Sequence, residues 1–201
     1  MKEIWFFSLP LILSLGCARE QTNFTVRDLP IPSSTVKETP NWVLSPQKKL
    51  FLTWTEHEAD TSFALNYAGW QDSAWSTTTT IARGKDWFVN WADFPALAIF
   101  PGSELNLLAH YLQKRVGGDI YDYDINLALS NNGGQGFRLL DLLHDSTAAE
   151  HGFVSLLPFS FDKILATWLD GGQMIKAEGN EKNHHDHGAG SMQLRSALVN
   201  V

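Results

Sequence analysis

Three segments of this 201-residue chain overlay one another: Leu50-Phe-Leu-Thr-Trp-Thr-Glu56, Leu107-Leu-Ala-His-Tyr-Leu-Gln113 and Ile164-Leu-Ala-Thr-Trp-Leu-Asp170. Their aromatic residues Trp54, Tyr111 and Trp168 stand 57 residues apart each time. Just upstream, Asp93-Phe-Pro-Ala-Leu-Ala-Ile-Phe-Pro101 overlays Glu150-His-Gly-Phe-Val-Ser-Leu-Leu-Pro158 at the same offset. Glu38-Thr-Pro-Asn-Trp-Val-Leu-Ser-Pro46 is a third copy, two residues short before Leu50. Matches in register at a fixed period restrict the fold to a few repeat architectures.

Each unit consists of short β-rich runs broken by Gly, Asn, Asp and Ser. In the second unit, strands are expected over Ala96–Phe100, Leu107–Gln113, Ile125–Ser130 and Arg138–Leu143. The second run of each unit is apolar almost throughout, as suits a strand covered on both faces by stacked sheets. Four-stranded units of this period predict an all-β fold, a β-propeller with about three blades over residues 38–201. Helical repeats fit badly, because Pro, Gly and β-branched residues interrupt every run of helix length. A β-sandwich is the structural alternative. Met192–Val201 overlays the third strand of the second unit, so the sequence is expected to end inside a blade.

Ser130-Asn-Asn-Gly-Gly-Gln-Gly-Phe137 reads as a hairpin: Asn132 closes an Asx turn, and Gly133 and Gly134 tolerate positive φ. Ser130, Asn132, Gly134 and Phe137 occupy the positions of the Asp-box, or BNR repeat, Ser-x-Asp-x-Gly-x-x-Trp, with Asn for Asp and Phe for Trp. On these residues, inside the 57-residue repeat, the chain resembles the sialidase superfamily over about residues 38–201. The resemblance implies a six-bladed propeller in which Asp boxes are structural turns. Six such units need about 340 residues, so it also implies that this sequence is an N-terminal fragment, the alternative being that another chain covers the open sheet edges. The function implied is that of a sialidase-like glycoside hydrolase acting on or binding extracellular glycans. The alternative is a non-catalytic propeller that docks protein or carbohydrate. In catalytic sialidases an Arg-Ile-Pro motif opens the first inner strand, and its arginine clamps the substrate carboxylate. The matching triplet here is Asp93-Phe94-Pro95, so an acid stands where a guanidinium would pair with that carboxylate.

Ligands of propellers bind around the axis, where the innermost strands begin. The repeat puts Glu38, Asp93 and Glu150 at equivalent places just before that strand, so three acids are expected to converge on one opening. Paired carboxyls with separated pKa values are what glycosidic hydrolysis requires, and such a cluster also suits a cation or basic ligand. The other reading is that these acids cap backbone amides at a loop-to-strand junction. His151, beside Glu150, is a candidate general base, with a core or rim histidine as its plainer role. Asp122, a further catalytic candidate, lies with Asp119 and Tyr121 in the loop Asp119-Ile-Tyr-Asp-Tyr-Asp124, which reaches toward the funnel or is simply solvated. Trp70, Trp75, Trp87 and Trp91 either stack on sugars or wedge between blades. His184-His185-Asp186-His187 has the composition of a metal tract but lies among glycines, and no metal or other cofactor is expected.

Ile4–Leu15 has the length of a signal-peptide h-region, and it ends at Ser14-Leu15-Gly16-Cys17, which resembles a lipobox. The expectation is a signal peptide over 1–16, a lipidated Cys17 and a tether over 17–37, placing the protein on a bacterial cell envelope. A plain secretory signal with an incidental cysteine is the alternative. With a single Cys, an intramolecular disulfide framework is excluded. A formal net charge of −7 argues against a nucleic-acid partner.

Overall fold

The computed structural model describes residues 24–32, 37–59, 61–141, 143–177 and 191–201. The expected signal peptide, Cys17 and the His184–His187 tract lie outside these residues. Residues 24–30 belong to a separate unit and carry no regular element. Among the described residues no helix is long and apolar enough to cross a membrane.

Residues 31–201 hold three antiparallel sheets, one for each sequence repeat. The first joins β1 (Lys37–Leu44), β2 (Leu50–Ala59) and β3 (Ser62–Gln71), with both β4 (Ala74–Trp75) and β5 (Thr79–Lys85) on the far side of β3. The second runs β6 (Ala96–Ile99), β7 (Leu107–Lys114), β8 (Tyr123–Ser130), β9 (Arg138–Leu139). The third runs β10 (His151–Ser160), β11 (Lys163–Asp170), β12 (Gln193–Asn200). A six-residue helix, α1 (Gly172–Ala177), precedes β12. The overlaid segments are thus the second strand of three different sheets, and β12 is the third strand of its sheet. The expected strand over Arg138–Leu143 is shorter as a ladder. Beyond Leu139 it continues only as single bonds, from the Leu140 amide to Leu127 O and from the Leu143 amide to Ile125 O.

These sheets are the blades of a β-propeller, stacked face to face with the innermost strand β6 lying beside β1 and β10. The middle blade is buried on both faces, which explains the unbroken apolar run of β7. Leu107, Ala109 and Tyr111 point to the first blade, with Leu65, Tyr67, Ile81 and Trp87. Leu108 and Leu112 point to the third, with Ile125, Ile164 and Trp168. Such dry interdigitation is the main source of stability in a stack of this kind.

The turn over residues 130–137 adds a lock between blades. Ser130 Oγ accepts the Gly134 amide at 2.9 Å, and Asn132 Oδ1 accepts the Gly136 amide at 3.1 Å. Gly134 has φ 84° and lies against the Tyr67 hydroxyl of the first blade, leaving no room for a Cβ. Phe137 meets the same Tyr67 ring edge-on. At this end the blades are also tied by Gln47 Nε2 donating to Pro101 O, an ion pair of Lys49 with Glu104, and the Gly102 amide donating to Phe161 O.

The third inner strand departs from the sequence overlay. Asn41 pairs with Thr53, and Ala96 pairs with His110, as the repeat requires. In the third blade Ser155 pairs with Thr167, so β10 has slid by two residues. A bulge between Gly152 and Ser155, with Phe153 at φ 52°, accompanies the slide, and Thr39 at φ 51° marks the same bulge in β1. The counterpart of Glu38 in the third blade is therefore Gly152, and the expected equivalence of Glu38, Asp93 and Glu150 does not hold.

Candidate functional site

The beginnings of β6, β8 and β10 lie at one end of the stack, and their residues build one cluster. Asn90 Oδ1 accepts the amides of Ala92 and Asp93, at 2.7 and 2.8 Å, in an Asx turn that delivers Asp93 to the start of β6. Tyr123 opens β8, and alternation puts it on the same face as Ile125, Leu127 and Leu129, toward the third blade. Its ring stacks on Phe88 at 4.1 Å. Glu150 bridges to Tyr123 in parallel just before β10 begins.

The Tyr123 hydroxyl donates to Glu150 Oε1 at 2.9 Å and lies 3.5 Å from Asp93 Oδ2. Asp93 is 2% exposed and Tyr123 1%, whereas Glu150 is partly exposed. The missing side chain of Gly152 makes room for this arrangement: a Cβ there would fall on Asp93 Oδ2 and 3.0 Å from Tyr123 Cε2. The left-handed Phe153 beside it turns its amide to the Asp93 carboxylate.

Burial pushes the Asp93 carboxyl up to about 6, and the Glu150 charge adds to this. The Phe153 amide and the Tyr123 hydroxyl pull the other way. Burial and the two neighbouring carboxylates hold the Tyr123 phenol in its protonated form. A phenol has one proton to give, so the two carboxyls compete for it, with Glu150 Oε1 at 2.9 Å the nearer acceptor and Asp93 Oδ2 at 3.5 Å the farther. The arrangement joins an acid that holds its proton up to about pH 6 to a second, more exposed carboxylate.

A groove of about 310 Å³ runs along the inner strands beside this cluster. Asn41, Trp42, Phe94, Ala96, Val154 and Ser155 are among its lining residues. Trp42 is 51% exposed and stacks on Trp75 at 5.7 Å, and Trp75 meets Trp70 edge-on. Trp87 wedges between the first two blades against Tyr111 and Phe63, while Trp91 is exposed.

Other expected site residues are not brought to the cluster. Glu38 is exposed at the base of β1 and makes none of these contacts. Asp122 Oδ2 accepts the Asp119 amide, and Asp119 Oδ1 accepts the Ile120 amide, so both carboxylates shape their own loop. Tyr121 is exposed on that loop. His151 is fully buried and turns away into the junction of the second and third blades. Its Nε2 donates to Thr147 O at 3.0 Å, and its ring stacks on His144 at 3.7 Å. His151 Nδ1 lies 3.5 Å from Asp170 Oδ2 without hydrogen-bond geometry. His144 Nε2 accepts the Ile125 amide, leaving Nδ1 to donate to Asp145 O. Burial, then the nearby His151, lowers the pKa of His144, in keeping with a neutral ring.

The sequence marks Tyr123 only as a member of the loop over residues 119–124 and gives Gly152 no role in a site. The alternation Tyr123, Ile125, Leu127, Leu129 was the available signal for Tyr123; Gly152 had none, because its role arises from the slide of β10. Among the described residues, no group of three or more His, Cys, Asp or Glu side chains is placed to hold a metal ion.

Neither a family model nor a curated protein matches the chain. Among solved structures, it is similar to the alpha-L-arabinanase of Penicillium chrysogenum, determined in complex with arabinobiose. The identity is 15% and the TM-score 0.49, over 81% of this chain and 46% of that one. The chain thus spans less than half the length of that protein.

Proposed function

We infer that this propeller is a sialidase-like envelope protein that acts on extracellular glycans through Asp93, Tyr123 and Glu150. The observation that carries the reading is the pair of carboxyls joined by one phenol beside a groove with aromatic walls. In hydrolysis, Asp93 gives its proton to the leaving oxygen and Glu150 supplies the carboxylate that supports the opposite face or activates water. Tyr123 holds the two in register as a neutral donor. With an acid at the position of the sialidase arginine, the reacting sugar is one without a carboxylate. Aromatic faces such as Phe94 and Trp42 supply the stacking surface that sugars use. Cys17 carries the lipid that fixes the protein to the membrane; acyl labelling that persists in Cys17→Ser would refute the anchor.

The test is a panel of neutral and sialyl aryl glycosides offered to the full chain and to Asp93→Asn and Glu150→Gln. Turnover of a neutral glycoside is expected, with activity declining above about pH 6 and falling roughly 100-fold or more in either variant. The deep burial of Asp93 favours a second reading, a binding module in which a glycan meets Trp42 and Phe94 but neither carboxyl. Binding without turnover, lost in Trp42→Ala, would support that reading. Neither binding nor turnover would overturn both.

A further inference from the structure

Asp170 is buried at the end of β11 and touches neither Asp93 nor Tyr123, yet it gathers contacts from β10, β11, β12 and the turn into α1. Its Oδ1 accepts the Gly172 amide at 3.0 Å, closing an Asx turn over residues 170–172. Its Oδ2 meets Arg195 Nη1 of β12 at 3.2 Å, Trp168 Nε1 at 3.5 Å and His151 Nδ1 at 3.5 Å. The turn points the Gly171 amide at Glu150 O, 2.8 Å away. A Cβ on Gly171 would stand 2.9 Å from that same oxygen, so the approach requires glycine. His151, next to Glu150, pairs with Asp170 across the ladder and is clamped from the other side by Thr147 O and the His144 ring. The acid is part of the repeat as well: Trp54 Nε1 donates to Glu56, two residues on, just as Trp168 faces Asp170.

We propose that Asp170 is the positioning residue of the carboxyl pair, fixing Glu150 against Tyr123 through the Gly171 amide and the His151 ring. The catalytic consequence rests on the function inferred above, but the positioning itself does not and is measured without any substrate. The surrounding charges are consistent with it. Burial works against an ionised Asp170, but the Gly172 amide, His151, Trp168 and Arg195 outweigh burial and hold its pKa below the ordinary value. Arg195 also reaches Asp145 at 3.7 Å, and Arg115 holds Asp124 and Ser146 O, so Asp170 and the segment before Glu150 are tethered on both sides.

Displacement of Glu150 takes away a charge that raises the Asp93 pKa and frees the Tyr123 hydroxyl to donate to Asp93. Both changes lower the Asp93 midpoint. The experiment is a carbon-13 NMR titration of the Asp93 carboxyl in the full chain, comparing wild type with Asp170→Asn and Arg195→Gln. Each variant is expected to lower the midpoint by about half a pH unit or more, although neither residue touches Asp93. A purely structural role would reduce the melting temperature and leave the titration in place. An unchanged midpoint in folded Asp170→Asn overturns the proposal. Should that variant fail to fold, an unchanged midpoint in Arg195→Gln, whose partly exposed side chain leaves no buried cavity, overturns it equally.

Discussion

Replacing Gly152 by alanine puts a methyl group where Asp93 keeps its carboxylate. The new Cβ falls on Asp93 Oδ2, far inside the 3.0 Å limit that real Cβ contacts respect, and stands 3.1 Å from Asp93 Cγ and 3.0 Å from Tyr123 Cε2. The Tyr123 ring is held by Phe88 and cannot retreat, so the Asp93 side chain or the β10 backbone must move. Moving Asp93 gives up the Phe153 amide, a bond to a group with carboxylate character that is worth about 1.5–3 kcal/mol. Shifting the backbone instead costs about 1–3 kcal/mol. Alanine restricts the unfolded chain and returns about 0.4–1 kcal/mol. The net expectation is a loss of about 1–2 kcal/mol, or some 2–8 °C in melting temperature for a chain of this size, read by urea and thermal unfolding. The Asp93 titration should move from about 6 in the same variant. Gly136 is the control, because a Cβ there finds only Asn132 Nδ2 at 3.7 Å. Equal stability of the Gly152→Ala and Gly136→Ala proteins, within about 0.5 kcal/mol, would refute the reasoning.

Three further outcomes follow from the same geometry. Asp93 titrates at about 6 folded against 3.8 unfolded, so it adds stability as the pH falls through this window and costs up to about 3 kcal/mol above it. Asp93→Asn should therefore gain on wild type between about pH 4 and pH 7 in urea unfolding, and a constant difference would count against the raised value. His110 is fully buried with both ring nitrogens unpartnered, and burial lowers its pKa from 6.5 to about 3. Its neutral form contributes stability that is lost as the pH falls from 6.5 toward 3, so His110→Leu should resist acid unfolding better than wild type; an unchanged acid midpoint would contradict this. Gly134→Ala meets both a φ of 84° and the Tyr67 hydroxyl, and should cost about 2–3 kcal/mol while leaving the Asp93 midpoint unmoved; a loss under about 0.5 kcal/mol would show that the turn yields.

The architecture was legible because the repeat carries it. Trp54, Tyr111 and Trp168 recur at one spacing since each fills the same place in the second strand of its blade, and β7 reads as apolar on both faces because blades cover both. The site was legible only in part. Asp93 and Glu150 stand out as acids before inner strands, but the overlay makes Glu150 an equivalent of Glu38, and the structure puts Gly152 there instead. The bulge at Phe153 repeats the one at Thr39 in β1, but β10 stands two residues out of the register the overlay gives it, an offset that no local pattern announces. Sliding β10 by two residues places a glycine against Asp93 and brings Glu150 to Tyr123. Tyr123 is readable in the alternation of β8, where it is buried, whereas Tyr121 two residues earlier is exposed on the loop. The His144–His151 stack joins residues from a loop and a strand start, and only tertiary packing brings them together.

The central claim is that Asp93 and Glu150 form one coupled pair through Tyr123. Its most direct measurement is the carbon-13 NMR titration of the Asp93 carboxyl in wild type and in Glu150→Gln. A midpoint of about 6 is expected in wild type and a lower one in Glu150→Gln, where the neighbouring charge is gone and Tyr123 is free to donate to Asp93. A wild-type midpoint in the ordinary carboxylate range, or one that Glu150→Gln leaves unmoved, would contradict it.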